Sequence, residues 1–355
     1  MEATNNIIND NTWQKVIMKY NKPDVRKSIW QICNSLIPYI LMWYIMYRSL
    51  AFPYWITMVL SVIASGFLIR LFIIFHDCGH GSFFRSQTVN AIIGTIFGLF
   101  AFTHYRTWHN QHRIHHATAG NLDKRGVGDV WTLTTEEFKT SSKWRMILYR
   151  LFRNPYLMLT IGPIYVFMFQ NRLTTCQMSS KERINIYFTN IALLIIAVLI
   201  SMFIGFKDYL LIQLPILFFS HCIGIWLFYL QHQFGEVFWD RNSKWDYKTA
   251  ALEGSAFLKF PAILQWFTGN IGFHHVHHLS SMIPNYNLAK CHYENDLFKK
   301  VKAISFLASF KGLNLGLWDE KSRQMVSFKE ARISHYSIWH SLLFFLSPKV
   351  SVKNY

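Results

Sequence analysis

The apolar positions of this chain gather in four long runs, residues 29–47, 54–75, 186–204 and 209–230. An α-helix rises about 1.5 Å per residue, so roughly 20 apolar residues cross the about 30 Å of bilayer hydrocarbon. Each run is therefore expected to be a membrane-spanning helix. Only RSLAFP separates the first pair and only GFKD the second, which makes two tight hairpins that each dip through the bilayer and return. Three further runs, 91–103, 156–170 (interrupted by Gly162 and Pro163) and 337–347, are too short to cross. They are expected to lie at the interface or to pack against the bundle.

Lysine and arginine near the span ends set the orientation. Lys15, Lys19, Lys22, Arg26 and Lys27 precede the first span, and ten more, from Lys124 to Arg183, lie between the second and third. The hairpin loops offer only Arg48 and Lys207. Both termini and the middle segment are thus expected on the cytoplasmic side of a plasma membrane, with 76–185 and 231–355 forming a cap there. The polar start, MEATNNIINDNTW, lacks the short basic-then-apolar layout of a secretory signal, so the first run is expected to stay in the membrane.

Composition agrees. Charged residues make up 15% of the chain, against about 25% in soluble domains. The net charge of +17 fits the orientation signal and attraction to anionic headgroups, and no nucleic-acid partner is expected. Five scattered cysteines without a CxxC pair argue against a disulfide framework or a zinc ribbon. No linker, repeat or low-complexity tract divides the chain. The expected fold is an all-α integral membrane protein of one domain, 1–355, with four transmembrane helices in two hairpins under a cytoplasmic helical cap.

Histidine gives that cap its chemistry. His76 and His80 sit in HDCGH directly after the second span; His112, His115 and His116 in HRIHH; His232 in LQHQF just past the fourth span; and His274, His277 and His278 in HHVHH. All nine lie on one expected side of the membrane. Residues three and four apart share a helical face, so the HxxxH and two HxxHH spacings preset imidazoles to grip metal from one side. Nine nitrogens exceed what one ion accepts and suit two. Imidazole takes zinc, copper, iron and nickel. A catalytic zinc usually has three protein ligands, and the HExxH signature is missing. Two irons in an all-histidine site are the favoured reading. Haem is the rival, but only His221 lies within a span. His104, His109, His292, His335 and His340 carry no ligand spacing.

HDCGH, HRIHH and HHVHH resemble the three histidine boxes of the membrane fatty acid desaturases. FIIFHDCGHGSFF, HHATAGNLDKRGVGDVW, GPIYVF, WLFYLQHQF, LQWFTGNIGFHHVHHLS and PNYNL extend the likeness over most of the chain, towards the acyl-lipid desaturases of bacilli, the Δ5 type among them. The resemblance implies His232 as a ninth ligand. It also implies O2 as co-substrate, acyl chains of membrane phospholipids as substrate, and insertion of a cis double bond. No flavin or haem motif occurs, so two electrons per turnover must arrive from outside; ferredoxin or flavodoxin is implied, and an acidic carrier suits a basic face.

A metal-bound histidine usually hands its other N–H to a carboxylate or carbonyl. Asp77, Asp123, Asp129 and Glu253 are candidates for that role, with His275 beside the third box. Arg70 stands inside the second span, where a charge is costly. A hydroxylase or epoxidase of the same di-iron class would keep these boxes. A non-enzymatic membrane metal-binding protein would instead need an ion path of polar residues along the spans, which show few beyond Arg70, Gln213 and His221.

Overall fold

The computed structural model describes residues 12–331. A short helix, α1 (Thr12–Met18), leads to α2 (Val25–Ser49), capped by Asp24, whose carboxylate accepts the N–H groups of Arg26 and Lys27. α3 (Trp55–His80) returns along α2, and α4 (Gln87–Phe100) and α5 (Tyr105–Thr118) follow, bent 101° from one another. The middle segment forms α6 (Thr135–Thr140), α7 (Lys143–Phe152) and α8 (Pro155–Ile164), the last continuing as a π-helical turn over Tyr165–Phe169. α9 (Ser180–Ile204) and α10 (Phe206–His232) make the second hairpin. α11 (Tyr247–Glu253), α12 (Ala262–Phe267), α13 (His274–Leu279) and α14 (Asn285–Tyr293) come after it.

The four long apolar runs fall within α2, α3, α9 and α10, each long and apolar enough to cross a membrane. The helices overrun the apolar stretches: α3 continues to His80 and α10 to His232, so the first and last turns of polar sequence stay helical and carry chemistry. The GFKD loop contracts to a single residue, Gly205, at φ +88°, a conformation open to glycine because it has no Cβ. Run 91–103 becomes α4, and run 156–170 becomes α8 with its π turn. Run 337–347, His335 and His340 lie outside the described residues.

α3 is the pivot. Its Leu68, Leu71, Ile74, Phe75 and Cys78 are buried with Ile212 and Ile216 of α10. α4 closes over its end because Gly94 leaves room for the Tyr105 ring, where a Cβ would collide, and the Tyr105 hydroxyl donates to the Cys78 carbonyl at 2.7 Å. By contrast α9 leaves Leu194, Met202 and Phe203 largely exposed.

One expectation is corrected. The regions expected to form a helical cap are not purely helical: among the described residues they hold five strands of two or three residues. Leu133–Thr134 pairs parallel with Leu317–Asp319, which pairs antiparallel with Gln324–Val326. Phe257–Lys259 pairs parallel with Ala303–Ser305. Segments this short bury too little surface to form strands alone; partners distant in sequence supply the hydrogen bonds, so no local period announces them.

Candidate metal centre

The histidine boxes sit where helices end or cross. α3 presents His76 and His80 on its last two turns, α10 ends on His232, and α5 and α13 carry the two HxxHH boxes. Their nitrogens divide into two groups. His76, His80, His112, His116 and His277 form one, and His115, His232, His274 and His278 the other, with ligand atoms in each group within 4.8 Å of one another. Each HxxHH box serves both groups. His112 and His116, four apart, share the first while His115 turns to the second; in α13 the pair His274 and His278 joins the second while His277 turns to the first. The groups are neighbours, with the His116 and His278 rings stacked at 4.1 Å.

The donor set fits metal ions. Nε2 atoms face Nε2 atoms at 3.1 Å for His76–His112, His112–His116 and His116–His277, and at 3.1 and 2.9 Å for His115–His232 and His232–His274. A neutral imidazole nitrogen is either a donor or an acceptor, so the row His76–His112–His116–His277 cannot be satisfied by shared protons throughout. A central cation resolves it: metal–nitrogen bonds of about 2.0–2.1 Å put adjacent ligands of an octahedron about 2.9 Å apart. His80 Nε2 and His278 Nε2, buried without a hydrogen-bond partner, are ready for the same role. Burial, with repulsion from neighbouring histidines second, pushes His112, His116, His274, His277 and His278 well below the ordinary imidazole range. They are held neutral, the form that ligates.

Partners on the far nitrogens orient the rings. His76 Nδ1 pairs with Asp77 Oδ1 at 3.1 Å, and Asp77 Oδ2 accepts both the backbone N–H and the side-chain amide of Asn285, at 2.7 and 2.8 Å. His115 Nδ1 pairs with Asp129 Oδ1 at 2.6 Å. His232 Nδ1 faces the carbonyl of Gly254 at 3.2 Å, so next to Glu253 it is a backbone oxygen that meets this ring. Each pairing puts the N–H on Nδ1 and leaves the Nε2 lone pair directed inward.

Other singled-out residues lie apart. Asp123 is half-exposed, holding Arg241 at 2.9 Å and the backbone N–H of Asn242 at 2.8 Å; it touches no histidine because the turn after Asn121 aims it outward. His275 points away from both groups and meets His292 at 2.9 Å. His109 bonds the Gly79 carbonyl, and His221 stacks on Phe167. Sequence reasoning missed Trp108, which stacks on His112 with ring centroids 4.3 Å apart, and Asn285. The four-residue spacing from Trp108 to His112 was the available signal for the first; the second lay in PNYNL without a partner to suggest its role.

An apolar cavity of about 260 Å³ opens beside His76, His112 and His274. It runs past Phe72 and Ile225 towards Phe167 and His221. His221 precedes His232 by three helical turns, about 16 Å at 1.5 Å per residue. Four long apolar helices, two largely buried imidazole groups that could hold metal ions, and an apolar cavity at their side are the features of a multi-histidine site beside space suited to an apolar ligand.

Comparison with known proteins narrows that class. Residues 20–304 match the family model described as fatty acid desaturase. A fatty acid desaturase of Bacillus subtilis is 45% identical over 315 residues, covering 89% of this chain and 90% of that protein. An sn-1 acyl-lipid omega-3 desaturase (ferredoxin) of Synechocystis sp. is 28% identical over 230 residues, 62% of each chain. An sn-1 oleoyl-lipid 12-desaturase of Picosynechococcus sp. is 25% identical over 260 residues, 68% of this chain and 69% of that one. The chain belongs to the fatty acid desaturase family.

Proposed function

We propose that this protein is an O2-dependent acyl-lipid desaturase that introduces a cis double bond, of Δ5 position, into acyl chains of membrane phospholipids. The observation that carries it is the meeting of two largely buried imidazole groups with an apolar cavity lined by His76, His112 and His274. In this reading the nine histidines hold two irons, which supply the oxidant when reduced by external electrons. The overall change removes two hydrogens from adjacent methylenes and consumes one O2, two electrons and two protons to give two waters. Asp77, Asp129 and the Gly254 carbonyl keep the Nε2 lone pairs on the metal side. Phe72, Ile73 and Ile225 exclude water and lay the acyl chain beside the His76–His274 edge. Ferredoxin or flavodoxin delivers the electrons to the basic cap; the Synechocystis relative carries ferredoxin in its name.

The topology belongs to the same proposal: one domain, four spans, and both termini and the histidines cytoplasmic, supported by the Lys and Arg asymmetry. The test is expression in a host without desaturases, followed by mass spectrometry of its lipids. A loss of two hydrogens at a single internal position is expected. A gain of one oxygen instead would identify a hydroxylase or epoxidase, and unchanged lipid in the presence of a competent donor would remove the reading altogether. Single cysteines placed at Asp123 and Lys290 are expected to label from the cytoplasmic side only.

A further inference from the structure

A second cavity lies on the other side of α3. This cleft, of about 580 Å³, is enclosed by the start of α2, the middle of α3, α12 and α14. Residues 270–274 separate it from the apolar cavity: Asn270 and Phe273 face the cleft, whereas Ile271 and His274 face the cavity. Among the described residues its lining holds Lys27, Arg70 and Lys259, and no aspartate or glutamate.

Arg70 is the unusual member. It is 7% exposed, and among the described residues no carboxylate lies within ion-pair distance of it. One guanidinium nitrogen donates to the Trp266 carbonyl, another reaches Asn34 Oδ1 at 3.5 Å, and Nε is buried without a partner. The guanidinium lies 4.0 Å from the centre of the Trp266 ring, which holds its plane in place while leaving donors for another ligand. A buried cation without a counter-charge is strongly disfavoured, so the structure has room for an anion here. Guanidinium matches phosphate oxygens two at a time. Two acceptors complete the chemistry, since Gln31 Oε1 and Gln265 Oε1 line the same cleft, buried and without hydrogen-bond donors. At its rim Trp30 is 69% exposed and Trp266 38%, the aromatic belt of a membrane–water interface.

We infer that this cleft binds the phosphodiester headgroup of a membrane glycerophospholipid, with Arg70, Lys27 and Lys259 on the phosphate. Hydroxyl or ammonium donors of the headgroup meet Gln31 and Gln265. The cleft is wired to the metal centre: Gln31 Nε2 donates to Asn285 Oδ1 at 3.0 Å, and Asn285 holds the Asp77 that orients His76. A lipid drawn from the bilayer therefore sits one hydrogen-bonded chain from the histidines. The inference rests on the membrane placement proposed above, but it is read by binding and not by turnover.

The experiment uses the full-length protein in neutral detergent and titrates it with dihexanoyl phosphatidylglycerol, dihexanoyl phosphatidylethanolamine, dihexanoylglycerol and inorganic phosphate, followed by Trp fluorescence and native mass spectrometry. Saturable binding of one or both phospholipids is expected, at least tenfold tighter than the neutral diacylglycerol or phosphate. Lys259→Gln, an exposed change, is expected to weaken it about threefold. Arg70→Gln is expected to weaken it at least tenfold, with helicity by circular dichroism as the folding control. Equal binding by both variants and wild type, or equal binding of dihexanoylglycerol, overturns the inference. Inorganic phosphate binding as tightly as phospholipid overturns the lipid assignment. A protein that binds these lipids yet forms no double bond would leave the cleft standing and remove the desaturase reading instead.

Discussion

The two histidine groups are supported differently. The five-nitrogen group hangs mainly from long helices: His76 and His80 stand four apart on α3, His112 and His116 four apart on α5, and Trp108 stacks against His112. Among its members only His76 has a carboxylate on its other nitrogen. The four-nitrogen group takes single residues from the end of α10 and from α5, with two from the six-residue α13. Here His115 leans on Asp129 and His232 on the Gly254 carbonyl. Helix rigidity positions the first group, and hydrogen bonds from loops position the second. The smaller group should therefore be the more easily emptied.

The sharpest break comes from His232→Ala. It removes one of four nitrogens from the loop-supported group and is expected to abolish nearly all desaturation while the protein stays membrane-inserted. Metal analysis should fall from about two ions per chain to about one, and two retained ions with full activity would refute the assignment. Next comes Asp129→Asn, expected to lower metal affinity roughly 10- to 100-fold, the usual effect of losing a ligand's hydrogen-bond partner. Asp77→Asn should cost less, because α3 and the stacked Trp108 still hold its group. Competition with a chelator ranks the two variants, and the reverse order would contradict the comparison. His109→Ala touches neither group and should keep at least a tenth of the activity, a cost below about 1.4 kcal/mol in barrier. The least affected variant is Asp123→Asn: metal content and activity are expected within about twofold of wild type, because its contacts are Arg241 and Asn242. A loss of metal there would show that the surface network around Arg241 reaches the histidines.

Local information in the chain was enough for much of this. Span length is a count of apolar residues, and four such runs became α2, α3, α9 and α10. Helical spacing is equally local, so HxxxH and HxxHH announced imidazoles sharing a face, and all nine candidates fall in the two groups. What spacing cannot convey is which face meets which partner. Residues at i+3 and i+4 differ by about 100° around a helix axis, and the crossing of α5 and α13 decided that His115 joins the group of His274 while His277 joins that of His112. The same limit separates Asp129 from Asp123. Both follow the second box in one polar stretch, and only the chain's path, turning at Asn121 and coming back under α5, gives the first to His115 and the second to Arg241. The short strands and the Arg70 cleft arose likewise from segments far apart in sequence, since pairing and enclosure are properties of surfaces that meet only after folding.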